Sequence, residues 1–65
     1  QRGSQYSRME KGVTHILDSM QLLLGKKRNL LQVAVNADDS GTVTLIRKQI
    51  ADLESKIRKL SAYMA

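Results

Sequence analysis

Few side chains in this sequence could do chemistry, and none has the company that chemistry needs. His15 is the only histidine and cysteine is absent, so no imidazole and thiolate set is available to hold a transition metal. With Val13 and Ile16 turned inward, His15 falls outside the apolar stripe, within one helical turn of Lys11 and Asp18. A surface histidine is the expected reading. No serine is paired with a base in a recognisable motif, and no glycine-rich phosphate loop follows a strand. Neither an enzyme nor a bound cofactor or small-molecule substrate is expected.

Two of the six carboxylates, Asp38 and Asp39, stand together in one polar stretch. Asn36, Asp38, Ser40, Gly41, Thr42 and Thr44 can be laid on a calcium-loop template, with Val43 at the apolar position. The glycine and apolar placements fit that template. Its last position, however, is Arg47 where a bidentate carboxylate is required, and only two carboxylates remain. A cation there repels the ion, so a helix-capping turn is preferred.

The basic residues form a third candidate. Eleven Lys and Arg against six Asp and Glu leave a net charge of +5. Lys26, Lys27 and Arg28 are the densest run, and in an antiparallel hairpin they stand level with Arg47 and Lys48. Such a group could contact a nucleic-acid phosphate backbone. Lys56, Arg58 and Lys59 make a second group nearer the open end. No aromatic stacking platform or recognition-helix signature accompanies the charge. A solvated helix surface, with Lys27 snorkelling out of the seam, is therefore preferred to a dimeric nucleic-acid-binding regulator.

The elements behind these residues are legible in the hydrophobic spacing. From Val43 to Met64, Val43, Ile50, Ile57 and Met64 recur at one seam position and Ile46, Leu53 and Leu60 at the other. The spacing alternates between three and four, which is a helix whose stripe must be covered by another helix. Upstream, Met9, Val13, Ile16, Met20, Leu23, Lys27, Leu30 and Ala34 follow the same spacing, with Leu17, Leu24 and Leu31 in a second lane beside them. Gly12 and Gly25 weaken this first helix, each by roughly 1 kcal/mol relative to alanine.

Proline is absent, so nothing forces a break until the polar cluster 36–41. Asn36 can end the first helix in a left-handed conformation, and Asp38, Asp39 or Ser40 can cap the second. Residues 1–7 are polar and aperiodic and read as a disordered lead or expression remnant, with Ser7 and Glu10 as a capping box. The expected organisation is helix 8–36, turn 37–41 and helix 42–64. An α-β-β-α alternative makes strands of Leu30–Val35 and Thr42–Ile46, whose residues alternate properly. A lone two-stranded hairpin is marginal in water, so the two-helix form is preferred.

An all-α antiparallel hairpin of this width is expected not to work alone. Folding the two seams together leaves Leu17, Leu24 and Leu31, with Leu22, Val33 and Leu45, only partly covered. Three such side chains left wet forgo on the order of 5 kcal/mol, comparable to the stability of a small domain. The β-branched positions Val43, Ile50 and Ile57 opposite Leu53 and Leu60 suit two parallel strands, so two hairpins could meet along their second helices as a four-helix bundle.

The expected function is a non-enzymatic interaction module, a small assembly, scaffold or co-chaperone subunit. It would pair with itself or with another helical protein through Ile16, Leu17, Met20, Leu23, Leu24 and Leu31 with Ile46, Ile50, Leu53, Ile57, Leu60 and Met64. No membrane-spanning segment is expected, since the longest strictly apolar run is Leu22–Leu24. A cytoplasmic setting is only the default.

Overall fold

The structure is a computed structural model that describes the backbone of residues 2–64 and the side chains of residues 11–63. Two helices account for it, α1 (Arg2–Asn36) and α2 (Ser40–Met64). They run antiparallel as a rod of 56 × 15 × 12 Å. Among the described residues there is no strand, which removes the α-β-β-α alternative. Residues 30–35 stay helical because Leu31 and Ala34 carry the seam through that stretch, and both lie against α2. A two-stranded hairpin would have left those side chains without a core.

The boundaries differ from the expected ones at three places. α1 begins at Arg2 rather than residue 8, so its backbone runs through Ser7 instead of being capped there. The side chains of Ser7, Met9 and Glu10 lie outside the described residues. The turn is shorter than expected, Ala37–Asp39. And the left-handed residue is Asp38, with φ 54°, not Asn36, which remains the last helical residue.

That turn is built as a Schellman motif feeding directly into a cap. The Asp39 amide donates to the Ala34 carbonyl (3.0 Å) and the Asp38 amide to the Val35 carbonyl (3.1 Å). These two bonds satisfy carbonyls that the end of α1 would otherwise leave orphaned. Asp39 then supplies acceptors to the unpaired amide donors at the start of α2. Its carboxylate accepts from the Thr42 amide (3.2 Å) and the Thr42 hydroxyl (2.6 Å), while its carbonyl accepts from the Val43 amide (2.9 Å). One residue thus ends one helix and starts the next.

The seam of α2 is the expected one. Val43, Ile46, Ile50, Leu53, Ile57 and Leu60 are all buried or half-buried, with Ile46 and Ile57 in the core. Met64 has its side chain outside the described residues. The seam of α1 is turned by one residue from the expected one. Its only covered side chains among the described residues are Val13, Leu17, Met20, Leu24, Lys27, Leu31 and Ala34. Leu24 is 5% exposed, whereas Leu23 beside it is 45% exposed.

The lane expected to be left open, Leu17, Leu24 and Leu31, is therefore the lane that α2 covers. The open lane is Ile16, Leu23 and Leu30. With the turn centred on Asp38 and Asp39, the register sets Ala34 level with Val43, Leu31 with Ile46, Leu24 with Leu53 and Met20 with Ile57.

Candidate functional site

The side chains that fail to find cover are not scattered. Among the described residues eight large apolar ones are exposed: Ile16, Leu22, Leu23, Leu30, Val33, Val35, Leu45 and Tyr63. Ile16, Leu23 and Leu30 each stand one residue before a seam leucine of α1, about 100° round the helix. Val33 and Leu45 precede the seam residues Ala34 and Ile46, and Tyr63 stands three after Leu60. In an antiparallel pair these heptad positions share one side of the rod. Only Leu22, on the back of α1, and Val35, on the other side beside the turn, depart from it. Six of the eight exposed large apolar residues thus make one flank.

Three shallow grooves join along that flank. One lies on α1 between Ile16, Met20 and Leu23. A second, between the helices, is lined by Leu23, Lys27, Gln49, Asp52, Leu53 and Lys56. A third continues over Met20, Lys56, Lys59, Leu60 and Tyr63. Met20, Leu23 and Lys56 are each shared by two of them, so the surface is continuous. The Lys27 ammonium, half-buried in the seam, emerges on this flank and donates to Gln49 Oε1 at 2.9 Å. The opposite flank is polar and is closed by Arg28 and Glu54, whose Nη2 and Oε2 are 3.1 Å apart.

The predicted interface residues divide accordingly. Ile16, Met20 and Leu23 lie on or beside the open flank, and Met20 also contributes to the seam. Leu17, Leu24 and Leu31 are turned to α2, and Ile46, Ile50, Leu53, Ile57 and Leu60 to α1. The β-branched and leucine positions expected to bring two hairpins together along their second helices pack, in the single chain, against its own first helix. Leu22, Val33 and Leu45, expected to stay partly uncovered, are each more than half exposed. Leu30, Val33, Leu45 and Tyr63 are the flank residues that the expected interface omitted.

The five predicted phosphate-contacting residues are level along the rod but do not share a face. Successive helical residues point about 100° apart, so Arg28 faces away from the side on which Lys26 and Lys27 stand. Lys26 borders the apolar flank, Lys27 is held by Gln49, and Arg28 is paired with Glu54 on the far side. Arg47 lines a hollow beside the turn with Val35 and Asp38, and Lys48 is on the back of α2.

The calcium template fails on geometry as well as charge. Residues 40–47 are α-helical, so its ligand positions climb a helix instead of wrapping a point. Among the described residues no three His, Cys, Asp or Glu converge. His15 is exposed at the edge of the first groove.

Among the described residues Asp39 is the one titratable group with a clear perturbation. The Thr42 hydroxyl, and after it the Thr42 amide, hold its carboxyl below the ordinary aspartate value of 3.8. Both bonds favour the ionised form. They belong to the cap rather than to a reactive centre.

No described helix is long and apolar enough to cross a membrane. Comparison with protein-family models, with curated proteins and with solved structures returns no match to this chain.

Proposed function

We propose that this chain is a non-enzymatic helical-hairpin interaction module, a small assembly, scaffold or co-chaperone subunit, that works by laying its apolar flank against another helix. The observation that carries this is the one-sidedness of the exposed apolar residues. Random surface leucines need no explanation, but a continuous lane at heptad spacing does.

The packing supports the same reading. No described side chain is fully buried. A two-helix rod has no second layer to bury one, and an added helix supplies it.

The test combines sedimentation equilibrium with thermal melting of the isolated chain. The expected outcome is either a mass above one chain, or a monomer whose melt is broad and whose stability is marginal. A monomer that melts cooperatively with full helicity and a stability above about 5 kcal/mol needs no partner, and would overturn the proposal.

A further inference from the structure

We infer that the flank is built for one particular occupant, an amphipathic helix with an acidic rim supplied by a different protein, docking alongside α1 to make a three-helix bundle. The inference rests on the interaction-module reading above and names its partner.

Two independent observations lead there. The first is the double seam of α1. Met20, Lys27 and Ala34 belong to two heptad series at once. With Leu17, Leu24 and Leu31 they make the seam that α2 fills. With Ile16, Leu23 and Leu30 they make a second seam of the same length and spacing, exposed on the flank. A helix with apolar residues on both sides of one shared lane is the middle helix of three, since each side takes knobs from a different neighbour. Heptad spacing fits a helix better than it fits a bilayer, which reads no register. Nor does the chain have Trp or Phe, two of the residues that seat an interfacial helix in lipid.

The second observation is the charge around that second seam. α2 does not mirror the leucine lane of α1. Its positions on that side are Gln49, Lys56 and Tyr63, with Lys59 behind them. Lys26 stands on the outer edge of α1, and the Lys27 ammonium opens between the helices at the middle of the flank. Against these four cations the described flank carries one carboxylate, Asp52. An incoming helix would thus meet leucine from α1 and lysine from α2, which suits apolar residues on one side and Glu or Asp on the next.

A second copy of this chain fits poorly. Its own flank brings lysines against lysines around the apolar lane, and like charges brought together across an interface are disfavoured. Anionic lipid could satisfy the charge but not the register.

The experiment titrates the full chain with three probes: a 28-residue heptad peptide with Leu at the seam and Glu at the flanking positions (~8 helical turns,), the same peptide with Lys for Glu, and vesicles of phosphatidylcholine with phosphatidylglycerol. The expected result is one-to-one binding of the Glu peptide with sharpening of the hairpin's melt, weakening as salt rises, and none of the Lys peptide. Leu23→Glu, on an exposed position that leaves the hairpin seam intact, should abolish binding. Replacing Lys26, Lys56 and Lys59 together by Glu should weaken the Glu peptide by about tenfold or more and admit the Lys peptide.

A stable homodimer dispersed by Leu23→Glu would overturn the acidic partner while leaving the interaction module standing. Vesicle binding without peptide binding, or a stable monomer that binds nothing, would overturn both.

Discussion

Leu23 and Leu24 are neighbours of one residue type, and the hairpin makes opposite uses of them. That makes Leu→Ala at each a direct measurement of which way α1 faces. Leu24 is 5% exposed and fills the seam level with Leu53, while Leu23 is 45% exposed. Truncating a buried leucine costs about 2–5 kcal/mol through lost burial and a residual cavity. The rod is a single layer with no fully buried side chain, so neighbours can collapse into the space, and Leu24→Ala belongs near the lower end, about 2–3 kcal/mol. Leu23 forfeits only part of its transfer free energy, and its truncation is expected to cost about 0.5–1 kcal/mol. The difference changes the folded-to-unfolded ratio by roughly an order of magnitude. Urea denaturation followed by far-UV circular dichroism at low protein concentration reads both variants. Because the free chain is expected to be marginal, the pair is best placed in the Gly25→Ala background described below. Adding the acidic-rimmed peptide should raise the cost at Leu23 towards that at Leu24, since the peptide covers it. Equal losses in the free chain, or a larger one at Leu23, would mean that α2 packs on the other lane, and the flank assigned here would disappear.

Other expectations follow from the turn and the helix surface. A Cβ added at Gly25 meets nothing within 4 Å, so Gly25→Ala should stabilise by about 1 kcal/mol and raise Tm by several degrees in a thermal melt. Asp38 holds φ 54°, a conformation that glycine adopts without strain, so Asp38→Gly should stabilise by up to about 1 kcal/mol; a loss would show that the Asp38 carboxylate matters more than its backbone. Asp39 has its folded pKa below the ordinary value of 3.8, so its contribution is complete above that value and is lost as pH falls through the folded pKa. Melts from neutral to about pH 2 should show this loss in the parent chain, and Asp39→Asn, an equally good cap that does not titrate, should reduce the acid sensitivity. The Arg28 to Glu54 ion pair is exposed on both sides, and a double-mutant cycle should return no more than about 0.5 kcal/mol, fading with salt.

The seam of α2 could be read from its sequence because only one lane is available. Seam residues such as Ile50 and Leu53 have Gln49, Asp52 and Glu54 beside them, and no rotation of the helix offers a second apolar stripe. The turn could be located but not built, because Asn36, Asp38, Asp39 and Ser40 are all competent caps. The choice of Asp38 for the left-handed position and Asp39 for the cap emerges only when two helix ends must be closed within three residues. The five level cations could be counted in sequence. Which way each points depended on the rotation of helices that share no fixed phase until they pack.

α1 was ambiguous for a reason that bears on what the chain does. Ile16, Leu23 and Leu30 and the lane Leu17, Leu24 and Leu31 are equally apolar, and both run with Met20, Lys27 and Ala34. Periodicity cannot rank them. Contacts outside the apolar stripe agree with the arrangement seen: it brings Lys27 within reach of Gln49 and Arg28 within reach of Glu54, while the turn fixes how α2 leaves α1. A helix required to satisfy only α2 would carry polar residues in the rejected lane, as α2 itself does at Gln49 and Lys56. Burying that lane as well is worth about 1.5–3 kcal/mol for each large side chain, comparable in sum to the whole stability expected of so small a fold. The duplication that defeats a single assignment from sequence is therefore the same feature that leaves the hairpin a second apolar edge. Polar replacement of Ile16, Leu23 and Leu30 should leave one unambiguous seam, a hairpin with nothing to dock, and no function of the kind proposed.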